Sequence, residues 1–355
     1  MHKPKRFTIL DGMRGIAAVA VVAGHAGGQI SGGDLIPNIG LAVPFFFMLS
    51  GFVLSHAYRE GLGKRGATLE FAKQRVIRLF PLIVLAGLLG SVVLAYRFSH
   101  GELMGVSTTH VVIAQLLSVT SLPTPFLVID SWRWPVDPPE WSLFYELLAS
   151  AALAAGLLNA SKRTLVAFSA SGFLVCAWLG FSQGMIAPGL VGQIALTTFS
   201  FPFGCLIYRA YRDELLPSRS SPVLATIALT LALFWPAEFD YRLQLIILLL
   251  LVPMIIWTSL GRQPHGSLRK GLDYLGEMSY PLYILHWPIL VMVKEANPAL
   301  PILAVILLVL AASVLVSHIA LFYYDTPVRR ALRNRYGRAK QATTLTVNDL
   351  MPPEK

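Results

Sequence analysis

Apolar residues fall into long runs separated by short polar stretches, and the runs have the length of membrane-crossing helices. They cover about 12–32, 39–57, 77–97, 141–158, 164–182, 190–208, 222–236, 243–260, 275–293 and 301–323. Most approach the ~20 residues a helix needs to cross a bilayer core, so the pattern predicts an all-α polytopic membrane protein with about ten transmembrane helices. Pro236 closes the shortest run, and Pro253, Pro281 and Pro288 sit in or beside others, which predicts kinked or partly unwound helices. One further apolar stretch, about 107–128, is assigned no crossing, because an extra span there would invert every later loop. Residues 98–140 then form one long outer segment, stiffened by Pro123, Pro125, Pro135, Pro138 and Pro139 and anchored by Trp132 and Trp134. A connection of that length is usually functional.

Charge gives the runs a direction. With the N-terminus in the cytoplasm, the inner loops hold Arg59, Lys64, Arg65, Lys73, Arg75, Arg78, Lys162, Arg163, Arg209, Arg212, Arg219, Arg262, Arg269 and Lys270, and the C-terminal segment adds Arg329 and Arg330. The outer side receives Arg97, Arg133, Arg242 and Lys294. This Lys/Arg bias predicts a multi-pass protein of a bacterial inner membrane with both termini inside. The net charge of +10 over 355 residues is then an orientation signal and an attraction to membrane lipids, with no nucleic acid expected as a partner.

Composition supports the same picture. A chain 55% hydrophobic and 14% charged, against ~25% charged residues in ordinary soluble domains, has too little polar sequence to cover a water-exposed core. Cys176 and Cys205 are too few for a disulfide framework or a zinc site, and no metal is expected. The opening Lys3, Lys5 and Arg6 imitate a signal peptide, but Asp11 and Arg14 interrupt the run and no cleavage pattern follows, so the segment is kept as part of the fold.

Polar residues inside the runs carry the candidate chemistry. Arg14 and His25 stand eleven residues apart in the first run, which puts them on one helix face about 16 Å apart. Snorkelling and packing are the bland readings, but a charged and a titratable residue on one stripe more often face a cavity. A neutral imidazole can take a hydroxyl proton or accept an acyl group, and a guanidinium can hold a phosphate or polarise a thioester. Ser50 lies in "FFFMLSGFVLSHAY" without the strand-turn-helix setting of a serine nucleophile. Arg75 and Arg78 share a face just before Pro81, where either topology or phosphate binding accounts for them. Glu146 is expected in the outer membrane half, orienting a histidine or binding a hydroxylated acceptor, whereas Glu140, Asp130 and Asp137 read as solvated surface groups. Near the end, Tyr283 and His286 share a face as supporting residues.

Taken in order, "LDGMRGIAAVAVVAGH", "FFFMLSGFVLS", "RVIRLFP", "WSLFYELL" and "YLGEMSYPLYILHWPI" resemble acyltransferase family 3, whose members include polysaccharide O-acetyltransferases and macrolide acylases. The resemblance implies a core of about ten transmembrane helices moving an acyl group, usually acetyl from acetyl-CoA, onto a glycan or other hydroxylated acceptor. It implies that Arg14 and His25 are the essential pair, that Arg75 and Arg78 bind the donor, and that Glu146 is the membrane glutamate. The glutamate match is looser, since Tyr145 precedes it and no aromatic residue immediately follows. Residues 1–325 are the expected acyltransferase domain and 326–355 a basic, then disordered, cytoplasmic tail, so a hydrolase-like periplasmic partner would be a separate protein. Expected acceptors are a polysaccharide, a lipid-linked glycan or a small hydroxylated molecule. Intramembrane Arg, Glu and His also suit a secondary transporter of an anionic or sugar-containing solute, and a plain scaffold would leave Arg14 and His25 without a purpose.

Overall fold

The computed structural model describes residues 6–31, 36–58, 67–103, 105–124, 133–213, 221–261, 263–296 and 301–336. Lys3, Lys5, Arg59, Lys64, Arg65, Pro125, Asp130, Trp132, Arg219, Arg262 and the tail beyond Tyr336 lie outside the described residues. Within them every regular element is helical: α1 (Thr8–Ser31), α2 (Ala42–Ala57), α3 (Ala67–Ser99), α4 (Thr108–Ser118), α5 (Glu140–Ala155), α6 (Lys162–Gln183), α7 (Gly189–Arg212), α8 (Pro222–Phe234), α9 (Tyr241–Ile246), α10 (Val252–Thr258), α11 (Gly266–Ala296) and α12 (Ile302–Ile319). A π-helical turn, Ile247–Leu251, joins α9 to α10, and another, Ala320–Asp325, carries α12 into a helical stretch ending at Tyr336.

Each apolar run predicted to cross the membrane is helical. Among the described residues, seven helical segments are long and apolar enough to span: Thr8–Gly28, Pro37–Ala57, Ala67–Ser99, Lys162–Gln183, Gly189–Arg212, Tyr241–Thr258 and Ile302–Tyr336. The protein is therefore an all-α polytopic membrane protein with seven spans by length and composition, rather than the ten expected. The shortfall has physical causes: α5 and α8 have 16 and 13 residues, and α11 carries Arg269, Lys270, Asp273 and Glu277 in its first half. In the apolar stretch given no crossing, α4 has 11 residues, about 16 Å of helix and too short to span. Of the segment expected to be a tail, residues 326–336 are helical.

Small residues let the central helices approach closely. A Cβ at Gly15 would lie 2.6 Å from the Leu275 carbonyl oxygen, and one at Gly276 would lie 2.6 Å from the Asp11 Cβ, so α1 and α11 touch nearly backbone to backbone. Gly51 against the Phe201 carbonyl and Gly204 against the Met48 carbonyl do the same for α2 and α7. Phe45, Phe52 and Phe199, all fully buried, fill the space between these helices.

The two ends of the bundle differ in charge. At the end where α1 begins, Arg6 bridges Asp11 at 2.9 Å and Asp273 at 3.3 Å, and Lys162 bridges Asp213 at 2.8 Å. Lys162 and Arg212 hold the exposed Asp213 carboxyl below its usual range. At the opposite end the Asn38 side chain donates to the Trp235 and Ala237 carbonyls and accepts from the Phe239 amide, tying the start of α2 to the chain after α8. Asp137 and Glu140, expected at the solvated surface, are instead fully buried there. The Pro-rich turn folds them inward beneath α4, where Ser121 donates to the Glu140 carbonyl. Burial pushes the Asp137 carboxyl well above the usual carboxylate range.

Candidate active site

A cavity of about 270 Å³ opens at the basic end between α1, α2, α3, α5 and α11. It is lined by Arg14 from α1, by Phe46 and Ser50 from α2, and by Arg75 and Arg78 from α3. Ser142 and Glu146 from α5 and Ser279, Tyr280 and Tyr283 from α11 complete its deeper wall. Their positions follow from the helix directions: α2 and α5 run toward the basic end while α1, α3 and α11 run away from it. Side chains from distant sequence positions therefore meet at one depth.

Arg14 is held by α11. Its Nε donates to Ser279 Oγ at 3.0 Å, and its Nη2 reaches Asp11 Oδ1 at 2.9 Å and the Gly276 carbonyl at 3.3 Å. The close α1–α11 approach at Gly15 and Gly276 makes that reach attainable. Arg75 Nη2 meets Glu146 Oε1 at 2.6 Å, and Ser50 Oγ donates to the same oxygen at 2.9 Å. Arg78, one turn along α3, is exposed into the cavity. The arrangement gathers Arg14, Arg75, Arg78, Glu146 and Ser50 in one polar chamber. It places Glu146 against the arginines instead of beside a histidine, as the sequence suggested, because α3 begins ten residues earlier than its apolar run and carries Arg75 deep into the bundle.

His25 and His286 stand outside this chamber, beyond Phe46 and Tyr283, whose rings meet edge to face at 5.6 Å. His25 Nδ1 lies 2.8 Å from His286 Nε2, with ring planes 10° apart, and His286 Nδ1 lies 2.7 Å from the Tyr283 carbonyl oxygen. A carbonyl can only accept, so His286 Nδ1 carries the hydrogen and, in the neutral ring, its Nε2 is an acceptor. His25 Nδ1 must then donate to it, which leaves His25 Nε2 with a bare lone pair. His286 is fully buried, while His25 is half-buried against the edge of Trp287. Arg14 and His25 thus both face α11, on the single helix face that their spacing implied. Tyr283 links the two regions: its hydroxyl is 2.8 Å from Ser142 Oγ, and its carbonyl holds His286.

The sequence profile of acyltransferase family 3, described as an acyltransferase domain, matches residues 7–322. The chain belongs to this family. The match to residues 7–322 includes the chamber residues named above, the histidine pair and every helix from α1 to α12, and it favours group transfer over solute transport. The membrane acyltransferase is also similar to "Protein 2 in picA locus" of Rhizobium radiobacter, 36% identical over 177 residues that make up 47% of this chain and 92% of the relative. It is similar to the acyltransferase MdmB of Streptomyces mycarofaciens, 30% identical over 151 residues, 40% of this chain and 36% of that protein. No solved structure matches the chain.

Two contributors to the chamber were missed in the sequence. Ser142 stands inside "WSLFYELL" but looks like an ordinary helical serine. Arg333 lines the mouth from the segment taken for a tail, and only its four-residue spacing from Arg329 hints at a shared face. Among the described residues, no three His, Cys, Asp or Glu side chains are grouped to hold a metal.

Proposed function

We propose that this acyltransferase moves an acyl group, acetyl in the simplest case, from a coenzyme A thioester bound at the cytoplasmic end to a hydroxyl of an acceptor arriving from the opposite side. One observation carries the reading: a single face of α1 joins Arg14 in the basic-end chamber to a neutral His25 whose Nε2 is bare. The Lys/Arg bias supports a chamber that opens toward the cytoplasm, and in this reading α5, α8 and α11 bring the spans to ten in an inner membrane.

In the transfer, His25 Nε2 accepts the proton of the acceptor hydroxyl as that oxygen bonds the thioester carbonyl carbon. The carbon–sulfur bond breaks, and the sulfur leaves as a thiolate that takes the proton back from His25. His286 steadies the intermediate imidazolium by accepting from His25 Nδ1, and no metal is needed for the proton balance. Arg14 and Arg78 bind or polarise the donor, while Arg75, Glu146 and Ser50 shape the chamber that receives it. A glycan, a lipid-linked glycan or a smaller hydroxylated molecule fits the acceptor role.

The test uses purified protein in lipid nanodiscs with acetyl-CoA and candidate acceptors. Coenzyme A release and an acetyl-sized mass gain on the acceptor are expected in equal amounts. His25→Ala should lower turnover by about 10²–10⁴-fold while coenzyme A binding persists. Normal turnover in folded His25→Ala protein refutes the catalytic role, and an acetylated His25 trapped without acceptor replaces direct transfer by a two-step route.

A further inference from the structure

Three arginines line the chamber from the helical bundle, and two of them are already paired, Arg14 with Asp11 and Arg75 with Glu146. A fourth comes from the C-terminal helix. Arg333 lines the same cavity and also an adjoining groove of about 310 Å³ shared with Arg329 and Arg330.

Two contacts fix that helix. Arg329 pairs at 2.6 Å with Asp325, whose side chain is 1% exposed, and Lys73 Nζ stands 5.6 Å from the centre of the Tyr336 ring. The first ties the helix to its own buried start, and the second ties its end to the beginning of α3. Arg333, between them, is exposed and enters no ion pair among the described residues, and the same holds for Arg78 across the cavity. Two guanidiniums that make no close ion pair among the described residues line one cavity from two helices clipped together, so an anion bound there is within reach of both. Their planar forks suit phosphate oxygens.

We propose that Arg333 is a phosphate-binding residue at the cavity mouth, acting with Arg78 on the phosphate groups of the acyl donor. The assignment rests on the coenzyme A reading given above. The same chemistry is offered by the phosphate of an anionic lipid headgroup, so the experiment separates the two sources.

Full-length protein in phosphatidylcholine nanodiscs is titrated with coenzyme A and assayed with acetyl-CoA and with acetyl-pantetheine, a thioester that has no phosphate. Arg333→Gln should weaken coenzyme A binding and raise KM for acetyl-CoA by about tenfold, the low end for a hydrogen bond between charged groups. It should leave kcat and the reaction with acetyl-pantetheine unchanged. Arg335→Gln, on a residue lining neither cavity, is the matched control. If Arg333→Gln is not monodisperse, Arg333→Lys serves instead, keeping the charge and losing the fork.

Unchanged coenzyme A affinity in the variant overturns the assignment, as does an equal loss with acetyl-pantetheine. An effect confined to nanodiscs containing phosphatidylglycerol moves the phosphate to the lipid and overturns it too. Absence of coenzyme A binding by the wild type refutes the donor reading and this assignment together.

Discussion

Breaking the Arg75–Glu146 pair by one partner should destabilise the protein strongly, whereas removing both charges should cost clearly less than the two single losses added together. The side chains are 9% and 18% exposed and meet at 2.6 Å. At that separation the gross attraction is about 6 kcal/mol with an effective dielectric of about 20, and desolvation offsets much of it. Glu146→Gln leaves the Arg75 guanidinium without its counter-charge in a largely buried position, a situation that costs about 3–5 kcal/mol when one partner is removed. The residual exposure of Glu146 favours the lower end, so about 3 kcal/mol is expected for Glu146→Gln and a similar loss for Arg75→Gln. The double variant should lose about 2 kcal/mol less than the sum of the singles, because no lone charge remains. Unfolding in detergent, followed by tryptophan fluorescence across a denaturant series, supplies all four free energies. Single losses below about 1 kcal/mol that simply add in the double variant would show a pair already screened by water, and would refute its contribution to stability.

Other outcomes follow from the same geometry. His286→Ala frees His25 to adopt the wrong tautomer and should reduce turnover by about 10²-fold, while His286→Gln, whose amide can donate to Tyr283 and accept from His25, should recover much of it; equal activity in the two variants refutes the positioning role. Gly51→Leu drives a side chain into the Phe201 backbone and should abolish a monodisperse peak on size exclusion, and a normal peak would contradict the α2–α7 contact. Asp137 holds its proton more tightly when folded than its ordinary value of 3.8 allows, so its contribution to stability is complete below that value and declines as pH rises. Asp137→Asn should therefore stabilise the protein more at pH ~8 than at pH ~5, and a pH-independent difference would remove the explanation.

The sequence was most informative where one helix carried the whole signal. The Arg14–His25 spacing needs only helical periodicity, and the helix positions needed only the length of apolar runs. Glu146 was misplaced because its partner lies on another helix, and the depth of Arg75 depends on a start for α3 that its polar first turns conceal. Asp137 and Glu140 looked solvated because a Pro-rich turn reads as surface, and nothing local reveals that α4 covers it. His286 could be noticed as unusual, but its role depends on a carbonyl one turn earlier and a ring on α1.

The π-helical turn at Ala320–Asp325 sets the phase of everything that follows it. Deleting one residue there would rotate the downstream helix by about 100° relative to α12, swinging Arg333 away from the chamber without altering a single side chain. Asp325 apart, a substitution in this turn is thus a local change of packing, whereas a one-residue insertion or deletion is a change of address for the whole C-terminal arginine stripe. Length here should tolerate less variation than identity does.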